Sequence, residues 1–159
     1  MIRIALVLMV LIGGLLVSGR VPTATSAQDT SEIAGHPLVG SWLVYETNPP
    51  AGGEPVLTAV ATFAADGTAV VSGFGDLHLQ GVWIADGQSE ATFTVVSPSA
   101  GGFGEVDRVR AAVEAATDGG PFRGTYTFDT VRADGSDVFS YSGPIEGQRV
   151  EVQDPEPYP

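Results

Sequence analysis

Few residues in this chain could perform chemistry. Cysteine is absent, which excludes a thiol nucleophile, a disulfide framework and a Cys-ligated zinc site. The two histidines have no third ligand at a metal-binding spacing. We expect His36, which precedes Pro37, to face solvent, and His78, which shares a strand face with Gln80, to lie on the outside. No serine has a His–Asp pattern that sequence could support. We therefore predict no catalytic residue, no metal site and no cofactor.

Carboxylates are plentiful, and paired carboxylates can perform acid–base catalysis. Four aspartates directly precede a glycine, and a turn explains each of them. They are Asp66, Asp86, Asp118 and Asp134. Four glutamates fall at predicted strand ends or polar faces, where we expect solvated charges. They are Glu46, Glu90, Glu114 and Glu151.

The charge balance of the chain indicates which partners to expect, and its first residues indicate the compartment. All seven basic residues are Arg, and the net charge is −12, which argues against nucleic acid as a partner. Ile4–Gly19 is an apolar run of 16 residues, shorter than the roughly 20 that span a bilayer. We interpret residues 1–27 as a signal peptide cleaved after Ala27, so the mature chain is secreted, with no stable membrane association. The alternative is an uncleaved N-terminal anchor.

The rest of the chain must supply the elements that position any site. Each Asp-Gly pair lies between segments rich in Val, Thr, Phe and Tyr, which predicts hairpins with type I′ turns. Alternation of apolar and polar residues gives a draft of nine antiparallel strands. The draft is Leu38–Glu46, Val56–Ala64, Thr68–Phe74, Leu77–Ile84, Glu90–Ser97, Asp107–Ala116, Arg123–Val131, Val138–Gly143 and Ile145–Val152.

Two features of this draft leave alternatives. Asp107–Ala116 has the alanine content of a helix, but its alternation and its neighbours favour a strand. Pro144 is placed at a turn between the last two strands. Outside the strands, we predict a flexible leader at 28–36, one barrel domain at 37–152 and a disordered, proline-rich tail at 153–159.

Short motifs in these strands resemble those of lipocalins and the wider calycin barrels. Gly40–Trp42 gives Gly-x-Trp on the first strand, and Arg149 follows late in the chain. The segment from Phe63 to Thr68, followed by a second Gly-x-Trp that ends at Trp83, also resembles small exported bacterial barrel proteins. The resemblance implies an all-β, antiparallel up-and-down barrel of eight or nine strands after an N-terminal signal helix. It also implies structural roles for Trp42, Trp83 and Arg149, with the Arg guanidinium over the Trp42 ring.

In such a barrel the connections alternate between the two ends, so the long loops gather at one of them. The aromatic residues nearest that end are our candidates for ligand binding: Tyr45, Phe74, Phe103 and Tyr141. We expect a small apolar or amphipathic ligand, bound without catalysis. One alternative is an enzyme resembling allene oxide cyclase, which would need a buried polar group in the lumen; a buried Glu46, His78 or Tyr45 with a perturbed pKa would distinguish it. The other is a solid barrel that binds proteins through its rim loops.

Overall fold

The computed structural model describes residues 33–48, 52–73, 77–100 and 104–151. These residues form eight strands in sequence order, each antiparallel to its neighbours, and the last pairs with the first to close a barrel. The predicted all-β antiparallel barrel is confirmed. The strands are β1 Gly40–Glu46, β2 Val56–Phe63, β3 Thr68–Gly73, β4 His78–Ala85, β5 Glu90–Pro98, β6 Glu105–Ala115, β7 Phe122–Arg132 and β8 Asp137–Arg149.

Some predicted segments fall outside this part of the chain. The signal peptide at 1–27, most of the leader and the tail at 153–159 lie outside the described residues. Within the described residues, no helix has both the length and the apolar character needed to cross a membrane.

The segment with helical composition is a strand, as predicted. β6 covers it and pairs along its whole length with β7. Val109, Ala111 and Val113 face the barrel interior, and Arg110 and Ala112 between them face outward. Tertiary pairing therefore overrides the helical propensity of the alanines.

The predicted turn at Pro144 is wrong, because β8 runs through it as one long strand. Pro144 pairs with Thr125 on β7, and its carbonyl accepts a hydrogen bond from the Thr47 N–H at 3.1 Å. Proline has no N–H to donate in return, so the pairing of β1 with β8 ends at this point. The proline thus lies where a ladder stops rather than where the chain reverses.

All four Asp-Gly pairs lie in hairpin connections, as predicted, but the turn type is different. A type I′ turn needs a positive φ at both central residues, and no non-glycine residue among those described has one. At the β2–β3 connection, the Gly67 N–H donates to the Ala64 carbonyl, and only Gly67 has a positive φ, of 84°. The Asp66 carboxylate instead accepts the Thr68 N–H at 2.8 Å, which closes the turn from its side chain.

The two ends of the barrel differ in how they are filled. The connections after β2, β4 and β6 lie at one end, here called the turn end, and those after β1, β3, β5 and β7 lie at the other, the loop end. Large rings fill the lumen near the turn end: Trp42, Phe63, Trp83 and Phe122. Smaller residues face inward nearer the loop end, among them Ala59, Val71 and Val109.

Candidate functional site

The turn end is sealed by Trp42 and Arg149. The Arg149 Cζ lies 4.3 Å from the centre of the Trp42 ring, and the Trp42 Nε1 donates to the Leu38 carbonyl at 2.8 Å. The Arg149 guanidinium also donates to the carbonyls of Val39 and Pro37. A cation over an indole contributes roughly 0.5–2 kcal/mol, and these bonds fix the incoming chain across the barrel. The arrangement stabilises the fold and leaves the Trp42 ring fully buried.

His36 belongs to this seal, and the expectation that it faces solvent is wrong. Its side chain is buried, its ring lies 5.4 Å from the Trp83 ring, and its Nδ1 accepts the Leu38 N–H at 3.1 Å. Within the described chain its Nε2 has no hydrogen-bond partner. Burial lowers the pKa of His36, so the imidazole is neutral near pH 7. Ile33, from the predicted leader, is also buried here.

A cavity of about 230 Å³ occupies the lumen toward the loop end. Its aliphatic wall comes from β1, β3, β4, β6 and β8 and from the residue just before β4, and the rings of Phe93 and Phe128 add to it. The aliphatic residues are Val44, Val71, Leu77, Leu79, Val109 and Ile145. Hydroxyl groups reach it from Thr58, Tyr126 and Tyr141, of which the Thr58 hydroxyl donates to the Val44 carbonyl at 3.1 Å. The chamber is therefore apolar with two tyrosine hydroxyls on one side.

These two tyrosines form a hydrogen-bonded pair on adjacent strands. The Tyr126 hydroxyl donates to the Tyr141 hydroxyl at 2.7 Å, and the rings meet edge to face at 5.5 Å. Burial raises the pKa of Tyr126, and the bond with Tyr141 and the charge of Glu46 raise it further. Tyr126 therefore keeps its proton throughout the physiological range and acts as a hydrogen-bond donor, not as a base.

Glu46 stands behind this pair, and the expectation that it is a solvated charge is wrong. Glu46 is 6% exposed, and it follows Trp42 and Val44 on the inward face of β1. A Cβ atom on Gly143 would lie 2.9 Å from the Glu46 Oε1 and 3.3 Å from the Tyr126 ring. The bare backbone of β8 at Gly143 therefore lets the carboxylate from β1 reach toward Tyr126 on β7.

The structure separates the four ligand-binding candidates. Tyr141 lines the cavity. Tyr45 does not, because Val44 and Glu46 take the inward positions on β1 and leave Tyr45 on the other face. Phe74 and Phe103 lie outside the described residues. Trp83 is buried near the turn end, where its Nε1 donates to the Ala64 carbonyl at 2.8 Å.

Of the residues that line the cavity, only Tyr141 is among the ligand-binding candidates from the sequence. Tyr126 and Phe128 alternate on β7, and that alternation was the signal that could have placed them in the lumen. His78 is exposed on the outer face, as predicted, within 3.2 Å of the Ser72 hydroxyl. In the described ranges, no group of three His, Asp or Glu side chains is arranged to hold a metal ion.

Comparison with known proteins gives no neighbour. No protein-family model matches this chain, and no curated protein or solved structure matches it either.

Proposed function

We propose that this protein is an exported, acidic, calycin-like barrel that binds a small apolar or amphipathic molecule in its lumen without catalysis. The observation that carries the proposal is the cavity of about 230 Å³ at the loop end, walled by aliphatic and aromatic side chains. Soluble proteins use such concave apolar chambers with a few polar groups to bind small ligands.

The volume limits the ligand class. A cavity of roughly 150 Å³ holds one benzene molecule, and pockets for drug-sized ligands begin at roughly 300 Å³. A chamber of about 230 Å³ therefore suits a single substituted ring or a short branched hydrocarbon. A long acyl chain would have to extend out through the loop end.

Export is supported by the first residues of the chain. The apolar run Ile4–Gly19 follows Arg3, and small residues precede Gln28. An acidic chain without Lys suits solubility and disfavours adhesion to anionic membranes. The calycin-like assignment is supported by the Gly-x-Trp motif of the first strand and by Arg149 over Trp42.

A barrel enzyme that rearranges a bound lipid-like substrate is the second candidate. The buried Glu46 carboxylate beside Tyr126 favours it, since catalysis in a lumen needs a polar group inside. Binding ranks first because the cavity wall itself is apolar and Glu46 lies behind the tyrosines. The solid-barrel alternative ranks last, because it requires a filled lumen.

Native mass spectrometry of the protein exported by its own host tests the proposal. A co-purifying mass below that of a long-chain lipid, lost on organic extraction, is expected. A chain that begins at Gln28 would support cleavage of the signal peptide. A bare chain that also fails to take up toluene would contradict the proposal and favour the rim loops. A ligand recovered chemically altered after incubation would favour the enzyme.

A further inference from the structure

The charges around the cavity restrict the polar group that a ligand can carry. None of the five described arginines lines the cavity. Arg108 and Arg110 bind Asp129 on the outer surface, and Arg149 lies at the turn end over Trp42. Arg123 pairs with the outward-facing carboxylate of Glu146, and Arg132 pairs with Glu105 where β6 begins at the loop end. A ligand carboxylate inside the barrel would therefore lose its hydration without gaining a cation from these residues.

A buried carboxylate beside the cavity has the wrong sign for an anion. The Glu46 carboxylate is buried behind Tyr126, close enough to contribute to the raised pKa of that phenol. Two negative charges in an apolar interior repel each other much more strongly than they would in water. Ligand carboxylates are therefore disfavoured both by desolvation and by repulsion.

The tyrosine pair supplies a hydrogen-bond donor beside the cavity. The Tyr126 proton is used in the bond to Tyr141. Among the described residues, the hydroxyl of Tyr141 has no acceptor of its own. A phenol O–H that faces an apolar chamber needs an acceptor, because an unmade hydrogen bond there is costly. An oxygen atom of the ligand can be the acceptor for the Tyr141 hydroxyl.

We propose that the cavity selects uncharged apolar ligands that carry one hydrogen-bond acceptor, a carbonyl, ether or hydroxyl oxygen, and that it rejects carboxylates. Tyr141 donates to the acceptor, and Glu46 supplies the charge that excludes anions. This inference rests on the proposed ligand-binding function and names the ligand class for the same cavity.

Three probes of matched size test the inference: cumene, which has no polar atom, acetophenone, which is a neutral acceptor, and benzoate, which is an anion. We would titrate each into the full exported chain at pH 7.5 by calorimetry. Benzoate is expected to bind at least tenfold more weakly than acetophenone. Equal binding of the two would overturn the inference.

Two variants test the roles of Tyr141 as the donor and of Glu46 as the charge that excludes anions. Tyr141→Phe should weaken the binding of acetophenone about two- to tenfold, which is the contribution of one hydrogen bond, and leave the binding of cumene unchanged. The control is Tyr45→Phe, the same change on the outer face of β1, which should alter neither probe. Glu46→Gln should narrow the difference in affinity between benzoate and acetophenone, because it removes the negative charge. If Tyr141→Phe weakened the binding of cumene and of acetophenone equally, the role of Tyr141 would be merely structural and the inference would be overturned.

A measurement on the unmodified protein covers the case in which a variant fails to fold. The carbonyl stretching band of bound acetophenone should move to lower wavenumber than in cyclohexane, as it does when a hydroxyl donates to it. A band at the cyclohexane position would overturn the donor assignment. If none of the three probes binds, the proposed function itself fails, and that result is distinct from binding without selectivity.

Discussion

Trp42 shows how much a single side chain contributes at the turn end. It is fully buried, it meets the Phe122 ring edge to face at 5.1 Å, and Arg149 covers its other side. Trp42→Ala is expected to lower the free energy of unfolding by about 3–5 kcal/mol, as large core truncations do. Urea denaturation of the native protein and the variant measures this difference in the free energy of unfolding. A loss below about 1 kcal/mol would place Trp42 outside the core.

His36 gives the fold a dependence on pH in the mildly acidic range. Burial lowers its pKa, so the unfolded chain binds a proton that the folded chain does not. Stability from the neutral ring is present above the ordinary histidine pKa and is lost as the pH falls below it. The free energy of unfolding should therefore fall between pH 7.5 and pH 5.5.

The matched variant for this prediction is His36→Gln, which keeps an acceptor but cannot titrate. Thermal unfolding at the two pH values should show a smaller difference for the variant than for the native chain. An identical pH dependence in both proteins would mean that His36 does not titrate on unfolding.

At the scale of elements, one outward-facing carboxylate joins three strands. Asp129 on β7 accepts from Arg108 at 3.0 Å and Arg110 at 2.7 Å on β6, and from Ser140 at 2.7 Å on β8. Its side chain is 3% exposed. Burial alone would raise the pKa of Asp129, but the bonds from Ser140 and the two arginines lower it below the ordinary value.

Asp129→Asn should therefore destabilise the barrel by about 1–3 kcal/mol at pH 7, since hydrogen bonds to a charged group are lost while the partly exposed arginines remain hydrated. A lowered pKa means that this contribution is present above about pH 4 and is lost as the pH falls further. Urea denaturation at pH 7 and pH 3 should show the gap between native and variant closing at pH 3. Asp137→Asn, at an exposed carboxylate outside the cluster, is the control. A gap that is equal at both pH values would contradict the account.

The elements also show which features the sequence predicts and which it does not. Alternation and Asp-Gly pairs predict the meander because both are local signals, and β6 follows from its neighbours. The continuation of β8 through Pro144 depends on where β1 ends, which is a long-range fact. The position of Glu46 was available from the alternation of Trp42 and Val44, but a charged residue at a strand end is ordinarily solvated. Its burial depends on Gly143 of the neighbouring strand β8, which is far from Glu46 in the sequence, so no local pattern indicates it.

At the scale of the whole molecule, the two ends of the lumen differ, and the cavity lies toward the loop end. Val109 lines the cavity, whereas Val82 lies on the outer face and is 63% exposed. Val109→Phe should fill part of the chamber and weaken cumene binding at least tenfold. Val82→Phe makes the same change outside and should leave binding unchanged. Calorimetric titration measures both, and retained binding in Val109→Phe would move the site elsewhere.

The most direct test of the central claim locates a bound probe by its effect on methyl groups. Toluene would be titrated into the protein with isotope-labelled Val and Ile methyl groups, and the methyl signals would be followed by two-dimensional NMR. Saturable shifts are expected at Val71, Val109 and Ile145, which line the cavity, and none at the exposed Val82 and Val96. Shifts confined to the outer face, or no saturable shift at any methyl group, would contradict ligand binding inside the barrel.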